Sequence, residues 1–153
     1  MLERHGSHRG FDWIIMFSSI GHRCGYVCIP KDNPLYGKNA EYFEFVNCHG
    51  GINIATDEFN GSKSDEWIIG FDCAHFPMDA VDLESIKRYY GQKEYDERVA
   101  NPLNMLSGHT WTADEVEEEL NNVIDQLIAH VPEEDVKFFK ELDKIEQDFL
   151  SKK

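Results

Sequence analysis

The signals for strands and for helices are separated along this chain, and that separation constrains its fold more than any other feature. Short β-prone segments with intervening Gly, Pro and Asn turn residues occupy residues 10–80, whereas helical patterns begin only after residue 81. This order favours an α+β fold. We therefore expect a single domain over residues 1–153, with an antiparallel β-sheet body and a C-terminal pair of α-helices.

Apolar runs with turn residues at their ends predict the strands of this body. The predicted strands cover residues 11–20 and 22–29 as a hairpin, then 42–48, 52–56 and 66–76. Gly50 and Gly51 interrupt the third strand, and Pro77 ends the last one. The three regions of the chain are then a β-rich metal-binding body at 10–80, a short helix (82–90) and loop (92–111), and an acidic helical region at 112–153.

Helix signals become strong at Thr112, which forms a capping box with Glu115. An apolar face follows at helical spacing and comprises Val116, Leu120, Val123, Ile124, Leu127, Ile128 and Val131. Pro132 fits the first turn of a second helix. Its apolar face comprises Val136, Phe139, Leu142, Ile145 and Phe149.

The formal net charge of −14 disfavours nucleic acid and membrane surfaces as direct partners and favours a basic protein surface. Residues 113–153 contain 13 Asp or Glu residues and 5 Lys residues, a net charge of −8. The densest patch predicts a partner-binding surface at Asp114, Glu115, Glu117, Glu118 and Glu119. The alternative is that these carboxylates only provide solubility and stabilise the helix dipole.

No apolar run reaches the length of about 18 to 20 residues that a membrane span needs, and the first eleven residues are polar. We therefore expect a protein of the bacterial cytoplasm. In that reducing compartment the four cysteines are thiols or metal ligands rather than disulfides.

Three short segments concentrate Cys and His at the ends of predicted strands: residues 22–24, 48–49 and 73–75. Residues i and i+2 of a strand project to the same face, so these ligands converge if the segments are neighbours in one sheet. Four such ligands suit tetrahedral zinc. We predict one structural zinc per chain, bound by Cys24, His49, Cys73 and His75, with His22 or Cys48 as possible replacements.

The chain has no CxxC pair, so the spacing is not that of a zinc finger. One alternative is that the thiols belong to the core and the histidines are hydrogen-bonded surface groups. Another is nucleophilic catalysis by Cys73 with His75 or His49 and Asp72. No glycine elbow supports an exposed nucleophile here.

Four motifs occur in order: GHRCGYV at residues 21–27, PLYG at 34–37, HGGI at 49–52 and WIIGFDCAH at 67–75. Over residues 10–80 this set resembles a family of small phage and prophage proteins. Residues 76–79 (FPMD) depart from that family, in which a small residue and Gly-Asp follow the last His. The resemblance implies a phage origin and makes an anti-CRISPR protein a candidate.

Two functions follow from these features. The first is a metal-binding, non-enzymatic inhibitor whose acidic helices bind a type II CRISPR effector nuclease and block its loading onto target DNA. The second is a zinc-dependent hydrolase with His49, Cys73 and His75 as ligands and Asp72 or Glu66 as base. Four protein ligands would indicate a structural metal, and three with an open position would indicate the enzyme.

Overall fold

The computed structural model describes residues 1–75, 77–101, 107–130 and 133–151, with side chains described outside 133–139. Its strands are β1 (Leu2–His8), β2 (Phe11–Phe17), β3 (Arg23–Ile29), β4 (Ile54–Phe59) and β5 (Ser62–Asp72). Its helices are α1 (Leu83–Tyr90), α2 (Gln92–Ala100), α3 (Ala113–Ala129) and α4 (Glu133–Ser151), with a 3-10 helix at Ala40–Phe45. The strands form one antiparallel sheet in the order β1-β2-β3-β5-β4. The predicted α+β class with C-terminal helices is confirmed.

One face of the sheet is apolar, because alternate residues of β2 point into the core: Phe11, Trp13 and Ile15 are all buried. Helix α3 packs over β1, β2 and β3. Five residues of its predicted apolar face are buried, namely Val116, Leu120, Val123, Ile124 and Leu127. Ile128 is 39% exposed, and Val131 and Pro132 lie outside the described residues.

Two of the three predicted helix starts are confirmed by their capping contacts, and the third, at Pro132, lies outside the described residues. The Thr112 side chain accepts a hydrogen bond from the Glu115 backbone N–H, and the Glu115 side chain accepts one from the Thr112 N–H. Asp82 caps α1 by accepting from the Ser85 N–H. These caps satisfy backbone donors that a helix cannot satisfy internally.

The sheet begins at Leu2 rather than at residue 10, because β1 precedes the predicted hairpin. Leu2 is the sole strongly apolar residue of β1, so the strand lacks the hydrophobic alternation that betrays a buried strand. Its pairing instead depends on the turn at Arg9-Gly10, where both residues have positive φ (50° and 89°). Such two-residue turns match the twist of a hairpin.

The predicted strand over residues 42–48 is wrong, because this segment contains the 3-10 helix. The Asn39 side chain caps it by accepting a hydrogen bond from the Tyr42 N–H at 3.0 Å. Phe43 and Val46 are both buried, and their separation of three residues matches one turn of a 3-10 helix. The same aromatic-rich residues also satisfied a two-residue period, which made the strand prediction plausible.

The predicted loop over residues 92–111 is wrong in its first half, where α2 forms directly after α1. Gly91 separates the two helices with a φ of 98°, a conformation that glycine adopts readily. None of the residues of α2 is buried. Apolar periodicity therefore provided no signal, and polar contacts such as Gln92 Nε2 with Asp96 Oδ1 at 2.8 Å support the helix instead.

The second C-terminal helix does not bury the described part of its apolar face. Leu142, Ile145 and Phe149 are 45%, 65% and 62% exposed. The predicted face residues Val136 and Phe139 lie outside the described side chains. Among the described residues, no helix is long and apolar enough to cross a membrane.

Arg23 of β3 is a buried cation and is only 4% exposed. Its side chain joins four parts of the fold. Its guanidinium donates to both carboxylate oxygens of Glu3 in β1 at 2.6 and 2.9 Å. It also donates to Asp82 Oδ2 at 2.6 Å, and to the carbonyl oxygen of Trp111 at 2.8 Å. Bidentate, charge-assisted pairing of this kind satisfies a buried guanidinium.

We predict that Leu127→Ala lowers the free energy of unfolding by about 2–5 kcal/mol, because it leaves a cavity beneath α3. Ile128→Ala, its neighbour on the same helix, should cost about 1 kcal/mol or less, because that side chain is already partly in water. Urea unfolding of both variants measures the difference. Equal effects would contradict the burial pattern of α3.

We predict that acid destabilises the wild-type protein through Glu3 and Asp82. Burial alone would raise the pKa of each carboxyl, but hydrogen bonds to Glu3 from Arg23 and Tyr89, and to Asp82 from Ser85 and Arg23, outweigh it and lower both pKa values. Their contribution is therefore present above their ordinary values of 4.5 and 3.8 and is lost as the pH falls through the lowered values. Urea unfolding between about pH 6 and pH 3 measures this loss.

Arg23→Met provides the matched test, because it leaves both carboxylates buried without their cation. Arg23→Met should lower the free energy of unfolding by about 3–5 kcal/mol near neutral pH. It should also reverse the pH dependence of that free energy, so that the variant gains stability as the pH falls. Arg4→Met removes an exposed pair with Asp114 and should cost no more than about 1 kcal/mol. An unchanged slope in Arg23→Met would refute the assigned role of the buried pair.

Candidate metal centre

The first part of the site is the turn that carries His49, between the 3-10 helix and β4. Gly50 and Gly51 have φ values of 70° and 75°, and the Gly51 N–H donates to the Cys48 carbonyl oxygen at 3.0 Å. The His49 N–H donates to Glu119 Oε1 of α3 at 3.1 Å. The turn is therefore fastened to the helix that covers the core.

A second contact fixes the start of the same turn. The Asn47 N–H donates to Gln126 Oε1 at 2.7 Å, and Gln126 Nε2 donates back to the Asn47 carbonyl oxygen at 2.8 Å. The amide side chain thus pairs with the backbone as a neighbouring strand would. This pairing holds the turn against the middle of α3.

The second part of the site is the segment that leaves the end of β5. The Cys73 N–H donates to the Arg23 carbonyl oxygen at 2.9 Å and continues the sheet ladder by one residue. The chain then turns back, with the Asp79 N–H donating to the His75 carbonyl oxygen at 2.9 Å. The His75 N–H in turn donates to Asp79 Oδ2 at 2.8 Å. These contacts hold Asp79 against His75.

The two parts meet at Asp79, whose side chain is 1% exposed. Its Oδ2 lies 2.7 Å from His49 Nε2. One ligand atom from each of His49, His75 and Asp79 lies within 4.8 Å of the others. Ligands of one tetrahedral ion at about 2.0–2.2 Å lie roughly 3.3–3.5 Å apart, so the His49–Asp79 pair would have to lengthen slightly to enclose an ion.

Asp79 Oδ1 is buried and has no hydrogen-bond partner within the described part of the chain. Buried polar atoms are nearly always paired, and leaving a carboxylate oxygen unpaired is costly. The other oxygen of the same carboxylate has two donors, the His75 N–H and His49. The described protein atoms therefore satisfy this carboxyl group on one side only.

The second histidine is oriented by the residue that ends β5. His75 Nε2 lies 3.1 Å from the Asp72 carbonyl oxygen and 3.2 Å from Asp72 Oδ1. If Nε2 carries the proton for these acceptors, Nδ1 has its lone pair available for a metal. A carboxylate behind a histidine is the common outer-shell arrangement of metal sites. Gly50 approaches the same ring so closely that a Cβ there would overlap it.

The site lies beside a groove of about 700 Å³ between the His49 turn and α3. Trp111 forms one wall, with its ring 4.5 Å from that of His49. The carboxylates in the groove are Glu119 and Asp125, and the second of these pairs with Arg9 at 2.9 Å. Asn47, Asn122 and Gln126 supply amide groups. The groove is thus polar and acidic.

Two of the four predicted zinc ligands, His49 and His75, come together here, and the two cysteines do not belong to the group. Cys24 pairs with Asp72 across the ladder, so strand alternation places Cys73 on the opposite face from Cys24. Cys73 is buried in the main core. The structure therefore does not bring the two thiols together with both histidines.

The proposed replacements do not join the group either. The ring of His22 is buried and its Nδ1 lies 3.0 Å from the Cys73 carbonyl oxygen. Cys48 lines the groove next to His49. Asp79 takes the third position instead. The sequence shows that Asp79 follows His75 by four residues and lies after Pro77. This spacing brings the two residues together only because the chain turns back on itself there.

The thiols are poorly suited to nucleophilic catalysis. Burial, reinforced by the charge of Glu119, raises the pKa of Cys48 to about 12. Burial and the charge of Asp79 raise the pKa of Cys73 as well, and burial also raises that of Cys24. A thiol becomes reactive when its pKa is lowered, so these environments act in the wrong direction.

The predicted partner surface at the start of α3 is largely engaged within the chain. Asp114 and Glu117 contact Arg4 at 2.7 and 3.5 Å. Glu115 completes the capping box and pairs with His109. Glu119 accepts from the His49 N–H. Only Glu118, which is exposed, makes no contact of this kind among the described residues.

Comparisons with known proteins add no assignment: no protein-family model, no curated protein and no solved structure matches this chain.

We predict that Gly50→Ala disrupts the site, because the new methyl group would displace the His75 ring. Metal affinity should fall by at least about tenfold, the lower end of the effect of disturbing a ligand's support. Gly51→Ala is the matched control, since it has the same positive φ but open space at its Cβ position. Isothermal titration with zinc compares the two variants, and equal losses would attribute the effect to backbone strain alone.

Proposed function

We propose that this protein is a metal-dependent hydrolase in which one zinc ion is bound by His49, His75 and Asp79. The observation that carries the proposal is the buried Asp79 carboxylate. It lies within reach of two imidazoles and has one oxygen without a partner in the described part of the chain. Imidazole nitrogens and a carboxylate oxygen are zinc ligands in catalytic sites.

A simple His–Asp hydrogen bond explains less of the geometry than a metal does. The pair between His49 Nε2 and Asp79 Oδ2 accounts for one oxygen only. It gives no reason for the His75 ring to lie beside the same carboxylate, held there by Asp72. A divalent cation in place of the shared proton would serve both rings and the unpaired oxygen together.

The number of converging ligands supports a catalytic site over the four-ligand structural site that the sequence predicted. Three groups meet among the described residues, and one of them, His49, lines an open groove. Three protein ligands leave a coordination position for water or substrate. A zinc ion at such a position lowers the pKa of bound water and polarises a carbonyl group.

The protein side chains supply the remaining roles. Glu119 lies on the groove wall beside the His49 turn and would act as the general base for a water bound at the site. Asp72 orients His75 and holds its proton on Nε2. Glu66, the other base suggested by the sequence, lines a pocket with residues of β1 and β2. It lies six residues from Asp72 along β5, or about 20 Å.

The acidity of the groove favours an amide substrate, neutral or cationic, over a phosphoester. Glu119 and Asp125 line it, and the chain as a whole carries a net charge of −14. The carboxylates of the groove and the net charge of the chain both repel a polyanion. The amide groups of Asn47, Asn122 and Gln126 provide hydrogen-bond partners for a peptide backbone.

We predict that the purified protein binds about one zinc ion per chain and that Asp79→Asn weakens the affinity by more than about 100-fold. A ligand should matter more than an outer-shell residue, for which a loss of 10- to 100-fold is typical and is our expectation for Asp72→Asn. Elemental analysis and titration with zinc measure both values. Cys24→Ser is the discriminating control, because it should keep its zinc here but lose it in the ligand set predicted from the sequence.

We predict that zinc-loaded protein cleaves fluorogenic peptide amides and that Glu119→Gln lowers kcat by about 100-fold or more while zinc stays bound. The variant Glu118→Gln, one residue away but exposed, serves as the control. A zinc-loaded protein that turns over neither amides nor phosphoesters would refute the hydrolase. A protein that binds no zinc would refute the site itself.

The phage origin and the inhibition of a type II CRISPR effector remain proposals from the sequence. These proposals depend on the acidic patch at the start of α3. Most carboxylates of that patch already pair with Arg4, with His109 or with the His49 turn. A partner would have to displace these contacts or use Glu118. For this reason the metal site, rather than that patch, is the stronger basis for a function.

A further inference from the structure

We propose that the outer face of the sheet, opposite α3, carries a second binding site, a cleft that takes a small organic guanidinium ion with an apolar body. Residues of β1, β2 and β3 line the cleft together with the end of the β4–β5 hairpin. Its volume of about 560 Å³ is typical of small-molecule sites. It shares no lining residue with the groove beside the candidate metal centre, so the inference is independent of the zinc site.

The end of the β4–β5 hairpin lies over the outer face because the hairpin extends past its neighbour and bends. The pairing of β3 with β5 begins at Trp67, so residues 62–66 extend beyond that ladder. The pairing of β4 with β5 changes register within β4, an irregularity that bends a hairpin. The Phe59 ring then packs edge-on against the Tyr26 ring of β3, with the centroids 5.2 Å apart. This contact holds the hairpin end over the cleft.

One end of the cleft carries two carboxylates that have no cation. Asp12 and Glu66 both line it, and neither makes a side-chain hydrogen bond or ion pair within the described part of the chain. Lys31, which follows β3, pairs with Asp65 instead. Burial raises the pKa of Glu66, and repulsion from Asp12 and Asp65 raises it further. A cation bound between the two carboxylates would relieve this repulsion.

A buried thiol lies beside the two carboxylates. Cys28 is opposite Asp12 in the β2–β3 ladder and lines the cleft, although it is only 4% exposed. Its sulfur has no hydrogen-bond partner among the described residues. Burial, with the charges of Glu66 and Asp12, raises the pKa of this thiol to about 12, so it stays neutral and can accept weakly from an N–H donor. A buried polar group without a partner points to a ligand independently of the carboxylates.

The spacing of these acceptors favours a guanidinium over a metal ion or an ammonium group. His5 also lines the cleft, and its side chain has no partner in the described part of the chain. Among the described residues, no three of the groups at His5, Asp12, Cys28 and Glu66 have ligand atoms within 4.8 Å of one another. A metal ion or an ammonium that bound three of them would draw them within that distance. A guanidinium spreads five N–H donors around a plane and reaches acceptors that lie farther apart.

The other end of the cleft is apolar. Ile14 and Met16 follow Asp12 on the outer face of β2, because alternate residues of this strand face the core. Met16 lies four residues from Asp12, or about 13 Å along the strand. Leu2 pairs with Met16 across the β1–β2 ladder, and the Phe59 ring adds an aromatic surface. A ligand that fills the cleft therefore needs a cation at one end and an apolar body at the other.

The test titrates the full chain with 3-phenylpropylguanidine, in buffer with EDTA so that the zinc site plays no part. Three comparison ligands are the corresponding urea, which has the same shape but no charge, the corresponding primary amine, and propylguanidine, which lacks the ring. The phenylpropylguanidine should bind at least about tenfold more tightly than the urea or propylguanidine, and at least about threefold more tightly than the amine. Amide chemical shifts in NMR spectra measure the affinities, and the changes should centre on Ser7, Asp12, Asn60 and Glu66.

Variants separate the two ends of the cleft. Asp12→Asn with Glu66→Gln keeps the shape of both side chains and should weaken phenylpropylguanidine by about tenfold or more, while the affinity for the urea stays the same. Glu118→Gln removes an exposed carboxylate of α3 and should change the affinity by less than about threefold. Met16→Gln should weaken phenylpropylguanidine by about threefold or more and leave propylguanidine unchanged.

Four outcomes would overturn the proposal. Equal affinity for the guanidine and the urea, or for the wild type and the double variant, would remove the role of the carboxylates. Shift changes centred on Glu119 and Asp125 would place the cation in the other acidic groove. Tighter binding of a blocked Arg-Phe peptide than of the free guanidine would make the site a docking point for a protein. The last is the absence of binding at about 5 mM ligand.

Discussion

The buried guanidinium of Arg23 is the constraint on which the geometry of the functional region depends. Its side chain holds Glu3 of β1, Asp82 at the start of α1 and the carbonyl oxygen of Trp111, just before α3 begins. Its own carbonyl oxygen accepts a hydrogen bond from the Cys73 N–H, where the chain leaves β5 towards the candidate metal centre. The Trp111 ring in turn packs against His49. A buried cation that lost one of these acceptors would leave a charge uncompensated, so the acceptors, and the segments that carry them, are held together.

Asp79 brings a second buried charge into the fold, and here the described protein atoms do not complete the compensation. Arg23 supplies its carboxylates with a full set of donors, whereas Asp79 has one oxygen satisfied by His49 and the His75 N–H and the other without a partner. Natural sequences tolerate such a local conflict where function requires it. The two networks therefore differ: the first is fully paired and stabilises the fold, and the second retains an unpaired buried carboxyl oxygen beside two imidazoles, which a cation would satisfy.

Most of the architecture was accessible from the sequence, because β2, β3, β5 and α3 carry strong local signals such as alternation and the Thr112 capping box. The errors fall where local pattern and tertiary role diverge. β1 is a polar edge strand defined by its turn. The 3-10 helix resembles a strand in sequence because Phe43 and Phe45 fit a two-residue period, whereas Phe43 and Val46 fit a three-residue one. At the site, His49 and His75 were predicted, but strand alternation places Cys24 and Cys73 on opposite faces. Asp79 was missed because its contribution depends on the turn that follows β5, which no periodicity encodes.

The strong acidity of the C-terminal region does not have one explanation, since its two helices use their carboxylates differently. In α3, Asp114, Glu115 and Glu119 are tied to Arg4, to the capping box and to the His49 turn. Those contacts position the helix over the core and fix one wall of the groove, so much of this charge is structural. In α4 the described carboxylates are exposed and lie on the same helix as the exposed Leu142 and Ile145. Charge beside an apolar surface that stays in water affects mainly which partner can approach and how fast, not whether the domain folds. The net charge of the two helices therefore includes carboxylates that help the domain fold and carboxylates that affect which partner can approach. Only the contacts of each carboxylate distinguish the two kinds.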